Sequence, residues 1–206
     1  MRRYVWRGGF VECDVPDGPL DVADSWRHSN GRTNGLHLHL ARFSRVAGRL
    51  PEGYVDRLMS LLHEGELFPR IALSQGQLLL DVRSAPSPRS STALTYAQAS
   101  DPRTRPEVKG PDFAAFGAYR SRYQVEGTDD AVIVNKDGSM LETTTGALVM
   151  WDGDALCVSD GVRLPSVTLH QVVARAETLG LPVVRRRLTP ELAAAHPLWF
   201  LNSCLL

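Results

Sequence analysis

The sequence predicts an α+β protein in two subdomains. Strand-like and helix-like runs are mixed without strict alternation, which argues against a regular parallel α/β sheet. Residues 99–107, Ala-Ser-Asp-Pro-Arg-Thr-Arg-Pro-Glu, break the pattern with two prolines among polar residues and read as a linker. The most regular helical spacing, at 169–179, lies beyond that break. The expected division is a smaller N-terminal α+β domain at 1–98, a linker at 99–107 and a C-terminal domain at 108–206.

The elements follow in order. Tyr4 to Arg7 and Phe10 to Cys13 flank Gly8-Gly9, which permits a hairpin. Residues 36–47 set Leu36, Leu40, Phe43 and Ala47 at helical spacing, and Gly48 stops them. A helix is expected over 52–63, with Val55, Leu58, Met59 and Leu62 on one face. Strands are expected at 68–73, 77–82 and 93–96. A helix over 112–125 precedes a buried-type strand at 130–135, a turn at 136–138 and a strand at 139–142. Residues 147–151 and 155–158 pair across Asp152-Gly153-Asp154. In the 169–179 helix, Leu169, Val172, Val173, Ala176 and Leu179 share a face. Ser166 or Thr168 can cap its start, and Gly180 and Pro182 mark its end. A strand at 183–187, a helix at 190–195 and a strand at 198–201 close the chain.

Composition excludes several classes. Of 206 residues, 43% are hydrophobic and 22% charged, which suits a chain with a real core. The 23 basic and 23 acidic side chains cancel, against a nucleic-acid or anionic-membrane binder. No apolar run reaches the roughly 20 residues that span a bilayer. The N-terminus lacks an apolar stretch after its charges, so no secretory signal is expected and a cytoplasmic location is. Cys13, Cys157 and Cys204 are too sparse for a disulfide framework or a zinc site. His37, His39 and His63 lack convincing ligand spacing, so no metal is expected. Arg185-Arg186-Arg187 reads as a solvated strand edge, and Trp26, Trp151 and Trp199 as core or interface residues.

Four features carry chemistry when taken together. Lys109, in Val-Lys-Gly-Pro-Asp at the domain junction, could be desolvated into a nucleophile. Arg42, in His-Leu-Ala-Arg on a helix, has a fork suited to phosphate. Glu142, 33 residues after Lys109, could be buried against a positive partner. Leu164-Pro165-Ser166-Val167-Thr168 leads into a helix, whose first N–H groups attract anions. Each has a plain alternative: a solvated lysine, an exposed helix arginine, a strand end, a simple N-cap.

Their order and spacing resemble the class IV aminotransferase family, the fold-type IV pyridoxal-phosphate enzymes, over nearly the whole chain. His39-Leu40-Ala41-Arg42 resembles the family's H-x-x-R, and Gly127-Thr128-Asp129-Asp130-Ala131-Val132 its G-x-D-[ED]-A entry into a strand. Residues 164–168 resemble its L-P-G-[IV]-T phosphate loop, and Leu201-Asn202-Ser203 its terminal T-N-S. The resemblance implies pyridoxal 5′-phosphate as cofactor and Lys109 as its Schiff-base lysine and proton carrier. It implies Glu142 at the pyridine nitrogen, and Arg42, Ser166, Val167 and Thr168 around the phosphate. It implies the fold-type IV architecture with a shortened N-terminal domain, and a homodimer. The expected activity is amino transfer between an amino acid and a 2-oxo acid. The alternatives are an aminodeoxychorismate lyase, releasing pyruvate and 4-aminobenzoate, and a non-catalytic cofactor-binding or interaction protein. The sequence departs from the family at Thr143 (usually glycine), Ala147 (usually asparagine), Ser166 (usually glycine), Leu169 (often arginine) and residues 24–31.

Overall fold

The computed structural model describes residues 1–62 and 64–204, and the chain divides into two compact units. The first comprises Met1–Pro88, Val108–Pro111 and Ser203–Leu206, and the second Arg89–Glu107 and Asp112–Asn202. The 99–107 stretch forms neither strand nor helix and belongs to the second unit. The chain then enters the first unit for the four residues that include Lys109.

The first unit contains β1 (Arg2–Trp6), β2 (Phe10–Glu12), β3 (Val22–Ser25), β4 (His28–Ser29) and β5 (Arg32–Thr33). Helices α1 (Leu36–Ala47) and α2 (Tyr54–Leu61) follow, then β6 (Glu66–Leu67), β7 (Arg70–Ser74) and β8 (Gln77–Val82). Five strands form an antiparallel sheet in the order β2-β1-β8-β7-β3, and β5-β4-β6 form a small second sheet. The expected hairpin is present, with Trp6 opposite Phe10. Helix α1 has the expected bounds, and Leu36, Leu40, Phe43 and Ala47 all pack into the core with Tyr4, Ile71 and Leu80. Helix α2 is shorter than the expected 52–63. Gly53 before it has a φ of 71°, a left-handed conformation that cannot continue a right-handed helix. Its core face is Tyr54, Val55, Leu58 and the adjoining Leu62, with Tyr54 fully buried.

The second unit contains β9 (Leu94–Thr95), α3 (Phe113–Tyr123), β10 (Asp130–Val134), β11 (Met140–Thr143), β12 (Ala147–Asp152) and β13 (Ala155–Ser159). It continues with α4 (Val167–Thr178), β14 (Val183–Arg186), α5 (Pro190–Ala195) and β15 (Leu198–Leu201). A four-stranded sheet runs β14-β13-β12-β15, and a three-stranded one β11-β10-β9. The parallel pairs are β13 with β14 and β10 with β9. The Asp152-Gly153-Asp154 hairpin forms as expected, with Asp152 opposite Ala155. Helix α4 begins two residues before the expected 169, because the Ser166 side chain caps it by accepting from Leu169 N at 3.2 Å. Arg185 and Arg186 do lie on an edge strand and Arg187 follows it, with Arg186 paired to Asp152 and Arg187 to Asp137. Trp26 is core, whereas Trp199 is 47% exposed and packs edge-on against Trp151.

Candidate active site

In the first unit, β3 organises the residues of interest. All four of its side chains are buried. Asp24 is 0% exposed. Its Oδ1 accepts from His39 Nδ1, Arg42 Nη2 and Ser25 N, and its Oδ2 from Arg42 Nε, each at 2.8 Å. His39 and Arg42 stand three residues apart on α1, so they share the face turned to β3. His37 is exposed and His39 buried, as a spacing of two on a helix requires, so the H-x-H pair does not converge. Among the described residues no cluster of His, Cys, Asp and Glu could hold a metal, and His63 lies outside them. Burial pushes the Asp24 carboxyl up, but the His39 hydrogen bond and the Arg42 charge outweigh it and hold it below the ordinary range.

The segment carrying Lys109 lies along the same strand. Ala23 N donates to the Lys109 carbonyl at 2.7 Å, and Val108 packs on the first core. Gly110 has a φ of 125°, and a Cβ there would lie 2.8 Å from Ala23 N and 3.1 Å from Val22 C. Only glycine fits that approach. Lys109 itself is half-buried.

In the second unit, Glu142 sits on β11 opposite Ile133, beside a bulge in the β10–β11 pairing, and is 6% exposed. Its Oε1 accepts from Arg103 Nη1 at 2.5 Å and its Oε2 from Leu164 N at 3.2 Å. Asp101 grips Arg103 from Nε at 2.9 Å and Nη2 at 2.7 Å. Burial raises the Glu142 pKa, and the opposing pull of Arg103 does not cancel it. Through Leu164 the structure joins Glu142 to the 164–168 segment, where Ser166 caps α4 and Val167 and Thr168 are buried.

The departures at 143–147 form a closed turn. Thr143 Oγ1 accepts from Gly146 N at 2.9 Å, and Asp130 accepts from both the N–H and the hydroxyl of Thr145 and from Thr144 Oγ1. Ala147 is buried in β12. Sequence reasoning missed Asp24 and Arg103. The Asp101-x-Arg103 pair was the one local signal for the latter, and Asp24 has none.

The predicted residues thus gather in two sets, Arg42 with Lys109 along β3 and Glu142 with residues 164–168 along β11. The fold resembles a hypothetical aminotransferase from Mycobacterium tuberculosis in its α-ketoglutarate- and PMP-bound form, at 17% identity and a TM-score of 0.81, over 100% of this chain and 88% of that one. It also resembles a putative 4-amino-4-deoxychorismate lyase, at 21% identity and a TM-score of 0.76, over 88% of this chain and 80% of that one. A branched-chain aminotransferase from Thermoproteus uzoniensis, solved with norvaline, matches at 14% identity and a TM-score of 0.76, over 100% of this chain and 84% of that one. No curated protein matches the sequence. Identities this low speak for the fold alone. The sequence itself matches the family described as amino-transferase class IV over residues 21–206, and the chain belongs to that family of enzymes.

Proposed function

We propose that this protein is a pyridoxal-phosphate-dependent aminotransferase that moves an amino group between an amino acid and a 2-oxo acid. The carrying observation is Glu142: a buried carboxylate, 33 residues beyond Lys109, is hydrogen-bonded to the backbone of the segment that resembles the phosphate loop. The donor set fits the cofactor. A buried carboxylate that Arg103 and Leu164 N already hold as an acceptor suits a protonated ring nitrogen, and a fork held by Asp24 suits a phosphate.

When bound, the cofactor supplies an electron sink for the carbanion left by α-proton removal. The chain's own residues do the rest. Lys109 holds the cofactor through its Nζ, and the same amine takes the α-proton and delivers it, as base and then acid. Glu142 partners the ring nitrogen. Arg42, the Val167 and Thr168 N–H groups and the Thr168 hydroxyl bind the phosphate, with Ser166 shaping the start of α4. The family's homodimer and a cytoplasmic location accompany this reading.

The test is spectroscopic and chemical. Protein given pyridoxal phosphate should gain a visible absorbance band that Lys109→Ala loses, and borohydride should fix the label at Lys109. Amino acid should then be consumed beyond one equivalent per site only when a 2-oxo acid is present to take up the amino group. Release of pyruvate from aminodeoxychorismate without any 2-oxo acid would assign the lyase instead, and the absence of any band would remove the cofactor altogether.

A further inference from the structure

Asp24 is fully buried, and beyond the adjacent Ser25 N–H its carboxylate spends its bonds on Arg42 and His39, two partners from one helix. Such a pair is a poor stabiliser, since desolvation offsets most of the attraction and an apolar set of similar volume does as well. What the arrangement gives is orientation. Nε and Nη2 lie on one edge of a planar fork, so two bonds from one carboxylate set the plane of the Arg42 guanidinium. His39 adds a third contact that restrains the carboxylate. The residue before Asp24, Ala23, bonds the Lys109 backbone. Adjacent positions of β3 therefore reach the arginine fork and the lysine main chain.

We propose that Asp24 is a positioning residue for phosphate binding: by locking the Arg42 fork against β3, it makes the arginine meet the cofactor phosphate in one orientation, in register with the Lys109 segment on the same strand. This rests on the cofactor reading above. The orientation is set before binding, so Arg42 gives up little side-chain freedom when the phosphate arrives. A lysine at 42 would keep the charge and lose the plane.

The experiment compares two probes, pyridoxal phosphate and pyridoxal, titrated into apo-protein and followed by the visible band. Asp24→Asn should weaken pyridoxal phosphate about tenfold or more, the effect of losing a charge-assisted hydrogen bond. Pyridoxal, which has no phosphate, should change by less than about twofold, and Arg42→Ala combined with Asp24→Asn should bind no worse than Arg42→Ala alone. Equal weakening of both probes, or additive losses in the double variant, would overturn the proposal while leaving the cofactor reading intact. Arg42→Lys needs no change at Asp24 and should lose affinity for pyridoxal phosphate alone. Wild-type affinity in Arg42→Lys would show that orientation does not matter and would also overturn it. If wild-type protein forms no band with either probe, the cofactor reading fails and this inference falls with it.

Discussion

Arg103 spans two carboxylates, donating to Glu142 from one side of its guanidinium and to Asp101 from the other, with its side chain only 2% exposed. Removing the arginine strands Glu142 in a buried site without a counter-charge. Arg103→Ala should therefore destabilise the protein by about 3 kcal/mol or more, in the range for breaking one side of a buried pair. Chemical denaturation monitored by circular dichroism measures this. Asp101→Asn should cost much less, because Asp101 is itself more exposed than Glu142.

Stability should also depend on pH through Glu142. Its folded pKa is raised by burial above the ordinary value of about 4.3, so the folded state holds the proton more tightly than the unfolded chain. Stability then falls as pH rises from the ordinary value through the folded one. Glu142→Gln should lack that decline, as seen in midpoint denaturant concentration across the window. Asp24 has the opposite sign. Its lowered pKa contributes stability above the ordinary carboxylate range, and that contribution is lost as pH falls through the folded value.

Gly110→Ala should be costly out of proportion to one methyl group. It forces a positive-φ backbone and drives a Cβ to 2.8 Å from Ala23 N, where the obstacle is backbone. The expected loss is about 2 kcal/mol, with the Ala23–Lys109 hydrogen bond disrupted. A thermal melt reads the first effect, and faster amide exchange at Ala23 the second.

Ser166 stands where the family usually has glycine, and here it caps α4. Ser166→Ala should cost about 1 kcal/mol, and Ser166→Gly only a few tenths. A larger loss on Gly than on Ala, measured by denaturant melts, would overturn the capping account, since both variants lack the hydroxyl and differ only in the Cβ.

The parts legible in the sequence are those whose cause is local. Helix α1 keeps its bounds because four apolar residues at helical spacing meet Gly48. The hairpin at 152–154 and helix α5, capped by Thr189 with Pro190 in its first turn, are written in adjacent residues. Strand β3 was not legible. Its four residues are all buried, so they show no alternation, and their pairing partner β7 lies about 50 positions on. The start of α4 was misplaced because apolar spacing begins at Leu169 while the cap that starts the helix is Ser166. At the site, the motif residues could be picked out by type and spacing. Their keepers could not. Asp24 reaches Arg42 across 18 positions and Arg103 reaches Glu142 across 39, and no local pattern encodes such pairs.

The chain passes between its two units after residues 88, 107, 111 and 202. Neither unit is therefore a continuous stretch of sequence. A fragment ending at residue 88 would lack the strip that covers the outer edge of β3, leaving the Ala23 N–H without the Lys109 carbonyl it now meets. A fragment beginning at 112 would lack Arg103, the counter-charge of Glu142. No single cut yields two self-sufficient halves. Insertions and fusions in this protein belong at exposed turns such as Gln75-Gly76 or Asp152-Gly153-Asp154, and swapping its first 88 residues with those of a relative would carry only part of the first unit.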